Sequence, residues 1–152
     1  MKVSDYLKEK FCVMDLKATD KDGTIKELAK CLSNSGKIAK EDKFINDVLE
    51  RENLGSTGIG NGIGIPHART DAVKGFVVAF GKSTEGIEFK ALDGEKVNLV
   101  FLMGADPAEL NLYLRILAEL SKLLMNPTFR QELISAKSAA DVITTVKKFE
   151  KG

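Results

Sequence analysis

Residues Val97-Asn98-Leu99-Val100-Phe101-Leu102-Met103 form a nearly unbroken apolar run, and a strand of that composition has no face it can show to water. It must be covered on both sides. A second stretch, Phe76 to Phe80, has the same character. Two such strands are stable only in a sheet with helices packed on each face, which restricts the chain to a layered α/β arrangement.

The rest of the sequence supplies the layers. Phe11 to Leu16 is mostly apolar and reads as a first strand. Ile25, Leu28, Ala29 and Leu32 recur at helical spacing, predicting a helix from about Thr24 to Asn34 that Gly36 stops. Phe44, Ile45, Val48 and Leu49 predict a second, from about Lys40 to Glu52, with Arg51 at its C-terminal end. Gly86 to Phe89 reads as a short edge strand and Asp93-Gly94 as a turn. Asp106-Pro107-Ala108-Glu109 combines a capping aspartate, a proline at the first helical position and a glutamate at the capping-box position, opening a helix to about Met125. Asn126-Pro127 restarts the chain into another helix, and Ser138-Ala139-Ala140-Asp141 is a further capping box before Val142, Ile143, Val146 and Phe149. The order predicts a three-layer α/β/α sandwich with a mixed β-sheet. No linker or repeat divides the chain, so residues 1–152 are expected to form a single domain.

Charge excludes several functions. The 23 basic and 22 acidic residues leave a formal net charge of +1, with no footprint for nucleic acid or an anionic membrane. The segment beginning at Met1 lacks an apolar core of signal-peptide length, and no run approaches the roughly 20 residues of a spanning helix. A cytoplasmic protein without membrane insertion is expected. Cys12 and Cys31 stand in apolar contexts and read as buried free thiols. Metal-ligand clusters are missing from the sequence, and neither a metal nor a cofactor is expected.

Leu54 to His67 carries five glycines among fourteen residues, a density that regular helix does not tolerate. Ile63 and Ile65 alternate with glycines, predicting a short strand that Pro66 ends, with His67 at its C-terminal end. Closely spaced glycines let successive amides face a bound anion, and phosphate is the natural ligand; alternatively they only build turns. The spacing matches neither nucleotide-binding loop motif. Serine hydrolase chemistry lacks its nucleophile elbow.

A lone histidine is more often structural than catalytic. His67, however, follows this loop and Pro66 and precedes Arg69 by two residues. Neutral imidazole is a nucleophile that needs no separate base, and phosphoryl transfer asks chiefly for positioning and charge neutralisation. Arg51, just upstream, can supply that charge, unless it pairs with Glu50 or Glu52 at the surface. Ser56, Thr57 and Asn61 offer polar donors to a phosphoryl group, or serve as turn residues.

The stretch Leu-Gly-Ser-Thr-Gly-Ile-Gly-Asn-Gly-Ile-Gly-Ile-Pro-His, residues 54–67, resembles the active-site signature of enzyme IIA of the phosphoenolpyruvate-dependent phosphotransferase system, fructose/mannitol and nitrogen-regulatory class. The likeness extends through Leu49-Glu50-Arg51-Glu52, Ala91-Leu92-Asp93-Gly94 and the helix Tyr113 to Leu124. It implies a phosphotransferase in which His67 accepts a phosphoryl group from the histidine-containing phosphocarrier protein and donates it to a IIB component. It also implies a place for Arg51 at the phosphorylation site and a mixed sheet between helices. Members of the class commonly carry a second histidine where this chain has Tyr113; tyrosine can donate a hydrogen bond but cannot become a cation. Three readings follow: a sugar-transport carrier, a nitrogen-regulatory type whose phosphorylation controls binding to a target protein, and a degenerate module that only binds partners.

Overall fold

The computed structural model describes residues 2–151; Met1 and Gly152, the ends of the expected domain, lie outside them. Six strands form one mixed sheet: β1 Cys12–Val13, β2 Gly58–Gly60, β3 Ile63–Gly64, β4 His67–Arg69, β5 Phe76–Ile87 and β6 Val97–Ala105. The helices are α1 Lys21–Leu32, α2 Glu41–Leu54, α3 Leu110–Leu124, α4 Pro127–Ser135 and α5 Ala139–Glu150. Strand order is β1-β5-β6-β3-β2, and β4 also pairs with β6. The predicted three-layer sandwich is the observed architecture.

β6 is the spine of the sheet. From Leu99 to Met103 its alternate side chains enter two separate cores, as a doubly covered strand requires. Leu99, Phe101 and Met103 join Phe76, Val78 and Phe80 beneath α3, α4 and α5, whereas Val97, Val100 and Leu102 join Val77 and Ala79 beneath α1 and α2. Phe80, Phe101 and Phe129 are fully buried, and each contributes on the order of 1.5–3 kcal/mol by leaving water. Among the described residues no helix is long and apolar enough to cross a membrane.

Several predicted boundaries move for local reasons. The first strand shrinks to Cys12–Val13 because Phe11 closes a 3-10 turn, Glu9–Phe11; Leu16 still donates its amide to the Lys82 carbonyl at 3.0 Å. α1 starts at Lys21 because Asp20 caps it, accepting from the Gly23 amide at 2.8 Å, and a 3-10 turn ends at left-handed Gly36. The separate edge strand expected at Gly86 to Phe89 is not one: β5 runs through Lys82 and Ser83 to Ile87, with a register shift between Lys82 and Ile87 where it pairs with β6. The Asp106 cap is present, but its first turn, Pro107–Glu109, is 3-10 and α3 begins only at Leu110.

Near the two ends, the Ser4 hydroxyl donates to Glu150 Oε1 at 2.6 Å, and the Ser4 amide to Oε2 at 3.1 Å. Both thiols are free and half-buried rather than fully buried. Burial pushes Cys12 up to about 12, which leaves it unreactive at neutral pH.

Candidate functional site

The glycine-rich segment folds as a hairpin followed by a straight run. Asn61 and Gly62, with φ of 59° and 75°, turn β2 back onto β3, the left-handed pair that a two-residue hairpin turn demands. β3 then lies parallel to β6, Ile63 opposite Leu99 and Gly64 opposite Val100. Pro66 does not end this alignment. Its carbonyl accepts the Met103 amide at 3.0 Å, and His67 resumes in the same register opposite Met103. His67 therefore opens a strand instead of closing one: Pro66 lacks only the N–H, and the carbonyl side of the ladder survives it.

In β4 Ala68 is buried against the α1/α2 layer, so His67 and Arg69 project to the opposite face, toward α3. There the rings of His67 and Tyr113 lie 5.8 Å apart, inclined at 59°. His67 Nδ1 is 2.6 Å from the Ile65 carbonyl. A carbonyl can only accept, so Nδ1 carries the proton and Nε2 holds the free lone pair. Burial lowers the His67 pKa, the Ile65 hydrogen bond works against that, and the Arg51 charge lowers it further. Neutral imidazole is thus the resting form at neutral pH.

The histidine faces an open cleft of about 750 Å³, lined also by Arg51 and Asp47 from α2, by Arg69 and by Tyr113. Arg51 Nη1 donates to the Gly55 carbonyl at 3.0 Å. Among the described residues no carboxylate forms an ion pair with Arg51, so the surface pairing with Glu50 or Glu52 is not formed. The Tyr113 hydroxyl, 8% exposed as a residue, is raised to about 12 by burial against the opposing pull of Arg51 and Arg69. It remains a neutral donor at any physiological pH. A nucleophilic nitrogen, a guanidinium with unspent donors and a phenolic O–H line one concavity, an arrangement suited to receiving a planar or tetrahedral oxyanion.

Of the five residues read from sequence as site candidates, the fold brings His67, Arg51 and Tyr113 together. It does not bring Thr57 or Asn61. Thr57 is buried, its hydroxyl given to Glu52 Oε1 and its amide to Oε2 at 3.2 Å; Asn61 is exposed at the tip of the β2–β3 turn. Proximity in sequence misled here, because the hairpin carries its tip away from its ends. Arg69 was visible as a neighbour of His67 but unassigned, and strand alternation is the signal that places it on the same face. Lys43 was missed altogether; it bridges Asp47, one helical turn on, at 2.8 Å and Asp71 at 3.1 Å across the cleft wall, and the pairing with Asp71 is one that only the tertiary structure creates.

The family model for the phosphoenolpyruvate-dependent sugar phosphotransferase system, EIIA 2, matches residues 5–149. The fructose-specific EIIABC component of Bacillus subtilis is 34% identical over 99% of this chain, and the chain spans only 24% of that relative's length. The fructose-specific EIIA component of Haloferax volcanii is 40% identical, over 80% of this chain and 79% of its own. Among solved structures, the nitrogen regulatory protein IIA-Ntr of Neisseria meningitidis superposes with a TM-score of 0.88 at 27% identity, covering 95% of this chain and 98% of its own.

Proposed function

The chain belongs to the EIIA 2 family of the phosphoenolpyruvate-dependent sugar phosphotransferase system, and on that premise we propose that it is a cytoplasmic phosphoryl carrier working through Nε2 of His67. The donor is the histidine-containing phosphocarrier protein and the recipient a IIB component of fructose or mannitol type. Residues 1–152 act as one phosphotransferase domain. The observation that carries this reading is the 2.6 Å contact of Nδ1 with the Ile65 carbonyl, which leaves Nε2 as the only ring nitrogen with a lone pair.

In the first step that lone pair attacks the phosphorus of the donor's phosphohistidine. The donor's N–P bond breaks and its electron pair leaves with the donor imidazole. Nδ1 keeps its proton throughout, so no proton has to cross between the proteins. The new phosphoryl group brings a charge of about −1.5 to −2 into the cleft; Arg51 offsets it and the Tyr113 hydroxyl donates to its oxygens. In the second step a cysteine thiolate of the IIB component attacks the same phosphorus, and the Nε2–P bond breaks in turn.

The near-complete overlap with the meningococcal nitrogen regulatory protein supports a second reading, in which phosphorylation of His67 instead alters docking to a target protein. One experiment bears on both. Purified protein is mixed with phosphoenolpyruvate, the first enzyme of the system and the carrier protein, and acid-labile mass gain is followed for the wild type and His67→Ala. Uptake of one phosphoryl group by the wild type alone is expected. No uptake by either, beside a working control acceptor, would leave only the degenerate binding module.

A further inference from the structure

Glu52 carries a full carboxylate into the interior, with its side chain 1% exposed. It is not idle there. Lys21, from the first turn of α1, reaches Oε2 at 2.9 Å, and Lys21 also sits over the buried Phe89 ring, 5.0 Å from its centroid. Oε1 accepts the Thr57 hydroxyl and Oε2 the Thr57 amide at 3.2 Å. A buried ion pair of this kind is weak evidence for stability, because desolvation cancels most of the attraction. Its satisfied geometry instead fixes the position of what it holds.

What it holds leads to the nucleophile. The Thr57 carbonyl accepts the Ile65 amide at 3.3 Å. The Ile65 carbonyl, on the same residue, accepts Nδ1 of His67 at 2.6 Å. Glu52, Thr57, Ile65 and His67 therefore form a continuous series of hydrogen bonds, with each backbone amide and carbonyl oriented by the one before. We infer that Glu52, supported by Lys21 and acting through Thr57 and Ile65, is a positioning residue that fixes the ring orientation and tautomer of His67. The inference rests on the proposed carrier role for the meaning of that tautomer, but the hydrogen-bond series exists independently of it.

Thr57 is thereby reassigned, from a group that touches the phosphoryl to one that orients the histidine. The logic is that of an outer carboxylate holding a catalytic imidazole, with a backbone carbonyl as the last link. Rings released from such a hold sample both tautomers, and the population with Nε2 protonated cannot attack phosphorus.

The chain has one histidine, so long-range proton–nitrogen correlation on the full-length, nitrogen-15-labelled protein at pH 8 reports His67 without overlap. The wild type should show a protonated Nδ1 and a bare Nε2. Glu52→Gln and Thr57→Val should move the two nitrogen shifts toward each other, and Thr57→Ser should restore the wild-type pattern. In phosphorylation by the carrier protein, the same two variants should lose kcat by about tenfold or more, with KM for the carrier held within about threefold. Folded variants with wild-type nitrogen shifts and wild-type kcat would overturn the inference, as would a loss of thermal stability with no change in either. If Glu52→Gln fails to fold, Thr57→Val decides alone, since it keeps every backbone group of the series. A wild type that takes up no phosphoryl group while its variants still shift tautomer would refute the carrier reading and leave the positioning role standing.

Discussion

Gly64→Ala tests how tightly the strand before the histidine is pressed into the fold. A Cβ built at Gly64 meets the Phe89 ring at 2.9 Å from Cζ, 3.0 Å from Cε2 and 3.3 Å from Cε1. Phe89 is fully buried and its ring has no solvent to retreat into. On the other side β3 is held by its pairing to β6. One methyl group inserted between two fixed surfaces costs about 1–3 kcal/mol, and in a domain of this size each kcal/mol lowers Tm by about 2–4 °C. The expected loss is therefore about 2–12 °C in scanning calorimetry or near-ultraviolet circular dichroism. Gly55→Ala is the control: its backbone is extended at φ 164° and nothing lies within 4 Å of the added Cβ, so Tm should move by less than about 2 °C. Phe89→Leu in the Gly64→Ala background should recover part of the loss relative to Phe89→Leu alone, the coupling expected of touching residues. Gly64→Ala melting with the wild type would refute the close approach and the packing argument with it.

The cleft gives two further predictions. Arg51→Ala should slow phosphorylation of His67 by about tenfold to a hundredfold, the equivalent of one charge-assisted hydrogen bond of about 1.5–3 kcal/mol, with Arg51→Lys intermediate because a point charge replaces a fork; stopped reactions with the carrier protein measure it. The rate should be level from pH 8 through the ordinary histidine value of 6.5 and fall only below it, because burial lowers the His67 pKa, and Tyr113, at about 12, adds no alkaline limb below about pH 10. The same shift has a definite sign for stability. The unfolded chain protonates this ring more readily than the folded one, so the contribution of His67 is fully present above about pH 6.5 and is lost progressively as pH falls from there through the lower folded-state pKa. His67→Gln should flatten that part of the curve in urea titrations across pH.

Much of this fold is legible in the sequence itself. The apolar run at Val97–Met103 announced a doubly covered strand, and Asp106-Pro107, Asn126-Pro127 and Ser138 marked three helix starts through capping chemistry that is local by nature. His67 and Arg51 stand out in sequence as candidates because loop composition and charge sit close to them, and the fold places both on one cleft. What escaped depends on partners far along the chain. Lys82, Ser83, Thr84 and Glu85 look like a loop, yet they continue β5 because β6 lies beside them to be paired. Pro66 reads as a strand terminator, and the outcome turned on which edge of the ladder its missing N–H faced. Thr57 and Asn61 both lie in the glycine-rich segment that leads to His67; only the hairpin and Glu52 tell them apart. Glu52 itself was invisible as anything but a neighbour of Arg51, because a buried carboxylate is recognised by what surrounds it.

The contact between Ser4 and Glu150 has a topological consequence. The two residues share paired hydrogen bonds on the β1 side of the sheet, where α5 packs, while His67 lies on a strand beyond both β5 and β6. Ser4 and Glu150 are thus side by side and remote from the cleft. Such a unit can be spliced between other segments of polypeptide, or have its termini joined and a new break opened elsewhere, without asking any residue of the cleft to move. The geometry of this fold is that of an interchangeable part, and its relatives include both a chain of similar length and one in which the matching region fills 24% of the whole.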